Sequence, residues 1–280
     1  MRIWIPALIS VGMMGGAQAA DLSSKDYPES IEAQFANPAW NVAYGVKFAS
    51  DYISRGATQT RGNFAIQGYS ELQLFNWFYI NAWASNVDYG RNSSDPTAEI
   101  DLSFGLRHTW NRLTLDLAYV AYYYPGERDV NSLGKGVPDH ESSNSWEIVF
   151  TPRYAVNDIL TVGSNVRWTT DFDGTGADAT YLTGTAKLNL SKWSPVHDIG
   201  FYLSGEYGRQ FRGTTDLGNP QQKDYKLGSF DLWNVGGGFT YKSTTIDLRY
   251  WDSSIESSSR GERFVASVAF DTTLNPPPLK

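Results

Sequence analysis

Cysteine is absent from the 280 residues, so this chain can build neither a disulfide framework nor a thiolate metal site. Long hydrophobic runs are missing too. Beyond the first 20 residues no segment has 18 consecutive apolar residues, which removes membrane-spanning helices. Basic side chains are outnumbered, 23 Lys and Arg against 30 Asp and Glu, for a formal charge of -7. That balance argues against a nucleic-acid partner. Histidine occurs only 3 times, and no H-E-x-x-H, G-x-S-x-G or P-loop pattern is present. The expectation is therefore no cofactor and no metal centre.

What is plentiful is aromatic. Trp and Tyr number 10 and 17 in a chain whose mean hydropathy is only -0.38. A soluble core of this size has no need of so many rings, whereas an interface between membrane and water does, because an amphipathic ring sits well at headgroup level. The N-terminus supplies the compartment. Arg2 precedes an apolar run from Ile3 to Met14, and Ala17-Gln18-Ala19-Ala20 follows as an A-x-A-like cleavage site. The run is too short for the roughly 20 residues of a spanning helix, so residues 1–20 read as a secretory signal peptide. Its removal takes Arg2 away and leaves 22 basic against 30 acidic side chains, a formal charge of -8.

The mature chain has a period of two. Trp40, Val42, Tyr44, Val46 and Phe48 alternate with Asn41, Ala43, Gly45, Lys47 and Ala49, as a strand with one greasy and one polar face would. Ile100, Leu102, Phe104 and Leu106 repeat the pattern against Glu99, Asp101, Ser103 and Arg107. So do Leu113, Leu115 and Leu117 against Thr114 and Asp116, and Ile246, Leu248 and Tyr250 against Asp247, Arg249 and Trp251. Such runs give about 12 segments of about ten residues. The phase slips between Phe230 and Asn234, where a β-bulge is expected. Pairing is expected to stop after Phe270, ahead of Asn275-Pro276-Pro277-Pro278.

A soluble β-sandwich would alternate as well, so the connections decide. Those after odd strands are long and polar: 51–63, 88–97, 125–144, 171–179, 212–224 and 252–262. Those after even strands are mostly tight, around Asn76, Asn111-Arg112, Val156-Asn157-Asp158 and Lys242-Ser243, with 191–198 the longer exception. Long loops on one rim and short turns on the other describe a transmembrane antiparallel β-barrel of about 12 strands, with periplasmic turns and extracellular loops. Trp40, Trp77, Trp110, Trp193 and Tyr241 fall near the turns, and Tyr123, Trp146, Trp168 and Tyr250 near the loops, as two aromatic belts would. The division is then a signal peptide at 1–20, a periplasmic extension at 21–38, the barrel at 39–270 and a periplasmic Pro-rich tail at 271–280.

The segment Ser50-Asp51-Tyr52-Ile53-Ser54-Arg55-Gly56-Ala57-Thr58-Gln59 resembles the opening signature of the TorF-type porins of bacteria. Ala65-Ile66-Gln67-Gly68, Trp83-Ala84-Ser85-Asn86-Val87-Asp88, Ala98-Glu99-Ile100-Asp101 and Tyr123-Tyr124-Pro125-Gly126 are similar to later blocks of that family. The resemblance is specific over 50–126 and architectural beyond, and it implies an outer-membrane barrel and a porin function.

If the greasy alternate faces lipid, the lumen receives Lys47, Arg107, Arg153, Arg167, Lys187, Arg249 and Arg263 with Glu71, Glu99, Asp101, Asp116, Glu147, Glu206 and Asp247. Asp51 joins them by the same strand parity, and Arg55 does if the first loop folds inward. These charges either line a narrow hydrated pathway or pair off and block it. Arg55 and Arg61, beside Gly56 and Gly62, stand either at a constriction or against anionic headgroups at the outer rim. The expected partners are outer-membrane lipids, small polar solutes and the barrel-assembly machinery. The leading function is a channel. A non-conducting structural or surface-interaction barrel is the first alternative. A lipid hydrolase is the second, because His140 and Ser142 form an H-x-S pair on one strand face. Asp171, Asp173, Gly174, Gly176 and Asp178 give a DxDGxGxD run that suits calcium in spacing but lacks a closing Glu.

Overall fold

The computed structural model describes residues 40–90, 96–127, 143–196, 198–216, 224–255 and 260–274. The signal peptide, the extension at 21–38 and the prolines at 276–278 lie outside the described residues. Twelve antiparallel strands follow in order: β1 (Trp40–Ala49), β2 (Ala65–Leu74), β3 (Phe78–Asn86), β4 (Ala98–Trp110), β5 (Leu113–Tyr123), β6 in two pieces (Ser145–Phe150 and Arg153–Ala155), β7 (Leu160–Thr169), β8 (Ala179–Asn189), β9 (Ile199–Arg212), β10 (Phe230–Tyr241), β11 (Thr244–Ser253) and β12 (Arg263–Leu274). Each pairs with its sequence neighbours. The sheet closes where β12 meets β1, from Val42 opposite Leu274 to Ala49 opposite Ser267. Closure removes the two open edges that an isolated sheet would present.

Turn chemistry fixes one rim. Asn111 and Lys242 hold positive φ, 55° and 53°, in the two-residue connections that join Trp110 to Leu113 and Tyr241 to Thr244. Those backbone values match the twist that tight hairpins demand. The long connections lie on the opposite rim, except residues 190–198 between β8 and β9, which share the rim of the tight turns.

β6 is interrupted at Thr151-Pro152 because Pro152 has no N–H to give. The register survives: Leu117 faces Phe150 and Thr114 faces Arg153, three residues on in both strands. Thr151 N–H still donates to Asp116 O at 2.8 Å, and Pro152 O accepts from Ser164 N–H at 3.0 Å.

Two expectations are corrected. β10 carries no bulge, since its ladder to β9 is unbroken from Gln210 opposite Phe230 to Ile199 opposite Tyr241. Phe230 and Leu232 face inward instead, and what they meet is an infolded loop rather than lipid. Pairing also continues past Phe270 to Leu274, because residues 271–274 still have N–H groups to pair and the first proline is Pro276.

The wall sorts as period two requires. Leu102, Leu117, Leu203 and Leu248 face outward and are about half exposed, at 55%, 49%, 50% and 50%. Leaving a Leu in water forgoes roughly 1.5–3 kcal/mol, so this continuous apolar wall suits a bilayer. Trp40, Trp77 and Trp110 edge it at the turn rim, and Tyr123, Trp168 and Tyr207 toward the loops. At the turn rim His108 stacks on Trp77 with ring centroids 3.9 Å apart.

Candidate functional site: the charged lumen and its infolded loop

The inner face is polar along its height, and the structure gathers the charges that strand parity assigns to it into local groups. On β2, β4 and β5, Arg107 sits between two acids: Nε donates to Asp116 Oδ2 at 2.6 Å, and the two Nη atoms reach Glu71 at 2.9 and 3.2 Å. The guanidinium also lies 4.3 Å from the ring centre of Tyr79, whose hydroxyl donates to Asp116 at 2.9 Å. On β10 and β11, Arg249 bonds both oxygens of Asp247 at 3.2 and 3.0 Å and donates to Asn234 at 2.7 Å. Glu206 accepts from Tyr181 and Asn234, at 2.9 and 3.0 Å. Lys47 points inward from β1 and is 5% exposed. Lys187 stands 4.9 Å from the Tyr202 ring, while Arg153 and Arg263 are half-buried near the turn and loop ends respectively.

The third group reaches across the lumen. Glu147 on β6 receives Tyr122 Oη at 2.6 Å and Arg167 Nη1 at 3.3 Å from the wall, and Arg55 Nη2 at 2.5 Å from the first loop. Arg55 also donates to Gln210 on β9 at 3.2 Å. Burial pushes the Arg55 guanidinium down, and the adjoining Glu147 carboxylate more than reverses that, so the cation is held.

Arg55 reaches so far because residues 50–64 fold into the barrel mouth. Ile53 and Ser54 pair with Thr58 and Ala57, and the connecting Arg55-Gly56 has φ of 47° and 72° at both positions, as a type I′ turn needs. Gly56 leaves room for β11: a Cβ there would lie 3.2 Å from Ser253 Cβ. Tyr52 and Ile53, 0% and 1% exposed, pack with Trp83, Phe230, Leu232 and Trp251 from the wall. Asp51 Oδ1 accepts from Thr58 at 2.6 Å, and Ser50 N–H ties the loop to Ala266 O at 2.9 Å. Glu99 and Asp101 lie beneath this loop on β4, both buried.

Arg55 and Arg61 are thereby separated. Arg55 is interior, whereas Arg61 stands on the rim, its side chain 59% exposed and 3.6 Å from Asp88. The aspartates of the DxDGxGxD run take separate tasks. Asp171 Oδ1 accepts Gly176 N–H at 2.8 Å, Asp173 turns inward near Arg55 and Arg260, and Asp178 is exposed on the wall. Among the described residues no three His, Cys, Asp or Glu side chains converge as metal ligands would. His140 and Ser142 lie outside the described residues.

Sequence reasoning missed the tyrosines and two arginines. Tyr79, Tyr122, Tyr181 and Tyr202 stand on the polar parity and give their hydroxyls to lumenal carboxylates. Their position on the wrong face for lipid was the available signal. Arg212 ends β9 on the inward parity of Glu206 and Gln210, a signal the strand period offered, whereas Arg260 enters from the sixth loop, where no period marks direction.

A closed barrel of 12 antiparallel strands, apolar outside and charged within, defines the outer-membrane class of fold. Over residues 33–272 the chain belongs to the Gcw_chp family, a bacterial protein family of unknown function. No curated protein matches it. Among solved structures it is similar to the KdgM porin at 11% identity and a TM-score of 0.46, covering 82% of this chain and 98% of that one. The NanC porin gives 10% and 0.42, over 85% and 100%, and LpxR from Salmonella typhimurium 10% and 0.44, over 81% and 99%. The barrel assignment itself rests on the strand pairings.

Proposed function

We propose that this protein is an outer-membrane channel of the TorF type, through which small polar or charged solutes diffuse passively past a constriction made by residues 50–64. Its N-terminus lies in the periplasm, as an even strand count with periplasmic turns requires, and it reaches the membrane through the barrel-assembly machinery. The pore-lining residues are Lys47, Asp51, Arg55, Glu71, Glu99, Asp101, Arg107, Asp116, Glu147, Arg167, Glu206, Asp247, Arg249 and Arg263. One observation carries the reading. On the inner face the side chains of Thr185, Lys187 and Ser204 stay partly open to solvent. Polar side chains left accessible inside a lipid-enclosed wall mark a pathway, so these positions support a wetted path past the loop.

The non-conducting reading has its own support in the ion pairs that Arg107, Arg167 and Arg249 make with neighbouring acids. Because the chain has no cysteine, a single introduced thiol separates the two. A charged thiosulfonate should modify Thr185→Cys, on the inner face and partly accessible, and reduce the current through it, while Ala186→Cys on the outer face stays protected by lipid. A folded Thr185→Cys barrel that never reacts would replace the channel with a plugged scaffold.

A further inference from the structure

Three guanidinium groups converge at the inner side of the mouth, and they come from three different loops or strand ends. Arg55 is at the tip of the infolded hairpin, Arg212 ends β9, and Arg260 precedes β12. Two rings hold them together. Arg55 and Arg212 each lie 5.8 Å from the Phe172 ring centre, and Arg212 and Arg260 lie 5.0 and 4.2 Å from that of Phe230. Arg260 Nη1 also donates to Arg55 O at 3.0 Å, and its backbone bridges to Ala57, so the sixth loop is tied to the first.

Such a cluster is costly unless something offsets it, because like charges repel across a poorly solvated space. Burial and the neighbouring Arg212 bring Arg260 down to about 10. Among the described residues Glu147 is shared between Arg55 and Arg167, and Asp173 faces Arg55, Arg260 and Arg212. Asp173 is exposed to solvent, so it projects into open space at the mouth rather than into packed core. Phe230, 1% exposed, packs among the inward-facing side chains of the mouth.

We infer that the Arg55, Arg212 and Arg260 guanidinium groups, held against Phe172 and Phe230, form a binding site for a small soluble oxyanion of two or more charges on its way into the lumen. Planar forks of N–H donors match carboxylate and phosphate oxygens in pairs. The inference rests on the channel reading for its purpose but not for its chemistry.

The test is calorimetric titration of the refolded full-length barrel at low salt with citrate and, separately, inorganic phosphate, followed by bilayer recording with the same anions. The site predicts saturable binding of at least one of them, roughly tenfold weaker in Arg260→Gln and in Arg212→Gln, as loss of one charge-assisted bond implies. Arg61→Gln, on the outer rim, should bind as the native protein does. Stronger binding by citrate marks a carboxylate site, and stronger binding by phosphate a phosphate site. Each variant's fold is checked by its heat-modifiable migration and β circular dichroism. Binding without any ionic current keeps the site and overturns the channel. Current without binding, or binding equal in the folded Arg260→Gln and Arg212→Gln barrels, overturns the site.

Discussion

Replacing Arg107 by Gln removes the one guanidinium that joins Glu71 and Asp116, acids that are 2% and 1% exposed. Both carboxylates would then face each other across the inner wall, Asp116 keeping the Tyr79 hydroxyl. Breaking a buried pair by deleting one partner costs about 3–5 kcal/mol, most of it the desolvation of the charge left behind. The wetted lumen proposed above places this case at the lower end. About 3 kcal/mol corresponds to a roughly 150-fold shift in the folding equilibrium. The assay is reversible urea unfolding from lipid vesicles, followed by tryptophan fluorescence. A second substitution, Glu71→Gln, should recover part of the loss, with a coupling of about 1–3 kcal/mol between the two sites. A cost below about 0.5 kcal/mol for Arg107→Gln, the value of an exposed pair, would refute the enclosed triad and leave Glu71 and Asp116 in bulk-like water.

Leu102→Arg, on the outer face of β4, should cost roughly 2–4 kcal/mol in the same assay if Leu102 lies near the bilayer midplane; no change would put that face away from lipid. Gly238→Ala should destabilise by about 1–3 kcal/mol, because a Cβ there would run into the Ile246 carbonyl oxygen, whereas Gly184→Ala, which meets nothing, should stay within about 0.5 kcal/mol. Arg167→Gln should shift the reversal potential of a salt gradient toward cations without unfolding the barrel. Ile53→Asp should free the hairpin from its apolar seat against Leu232 and Trp251 and raise the open-state current, and an unchanged current would remove that loop from the pathway.

Period two located the strands because lipid on one side and polar groups on the other leave little freedom in which side chains alternate. It carried through wherever the inner face was polar, from Lys47 on β1 to Arg249 on β11. It failed at Phe230 and Leu232, whose inward neighbours are Tyr52 and Ile53 of a loop and not a polar lumen. A strand rule contains no information about what fills the middle. The loop's entry left a trace, in that Tyr52 and Ile53 are apolar within an otherwise polar connection, but the trace fixes no direction. The Arg55, Arg212 and Arg260 cluster depends on three chain segments meeting over two rings, a juxtaposition that no local spacing expresses. At the chain end pairing runs past Phe270 through Leu274, because residues 271–274 still carry N–H groups to pair.

Single-channel recording of the native barrel beside Arg55→Ala tests the central claim most directly. Arg55 spans from the hairpin tip to Glu147 on β6 and Gln210 on β9, so the account predicts small ionic steps from the native protein and larger ones once that span is cut. A native barrel that inserts and never conducts, with Arg55→Ala equally silent, would contradict it.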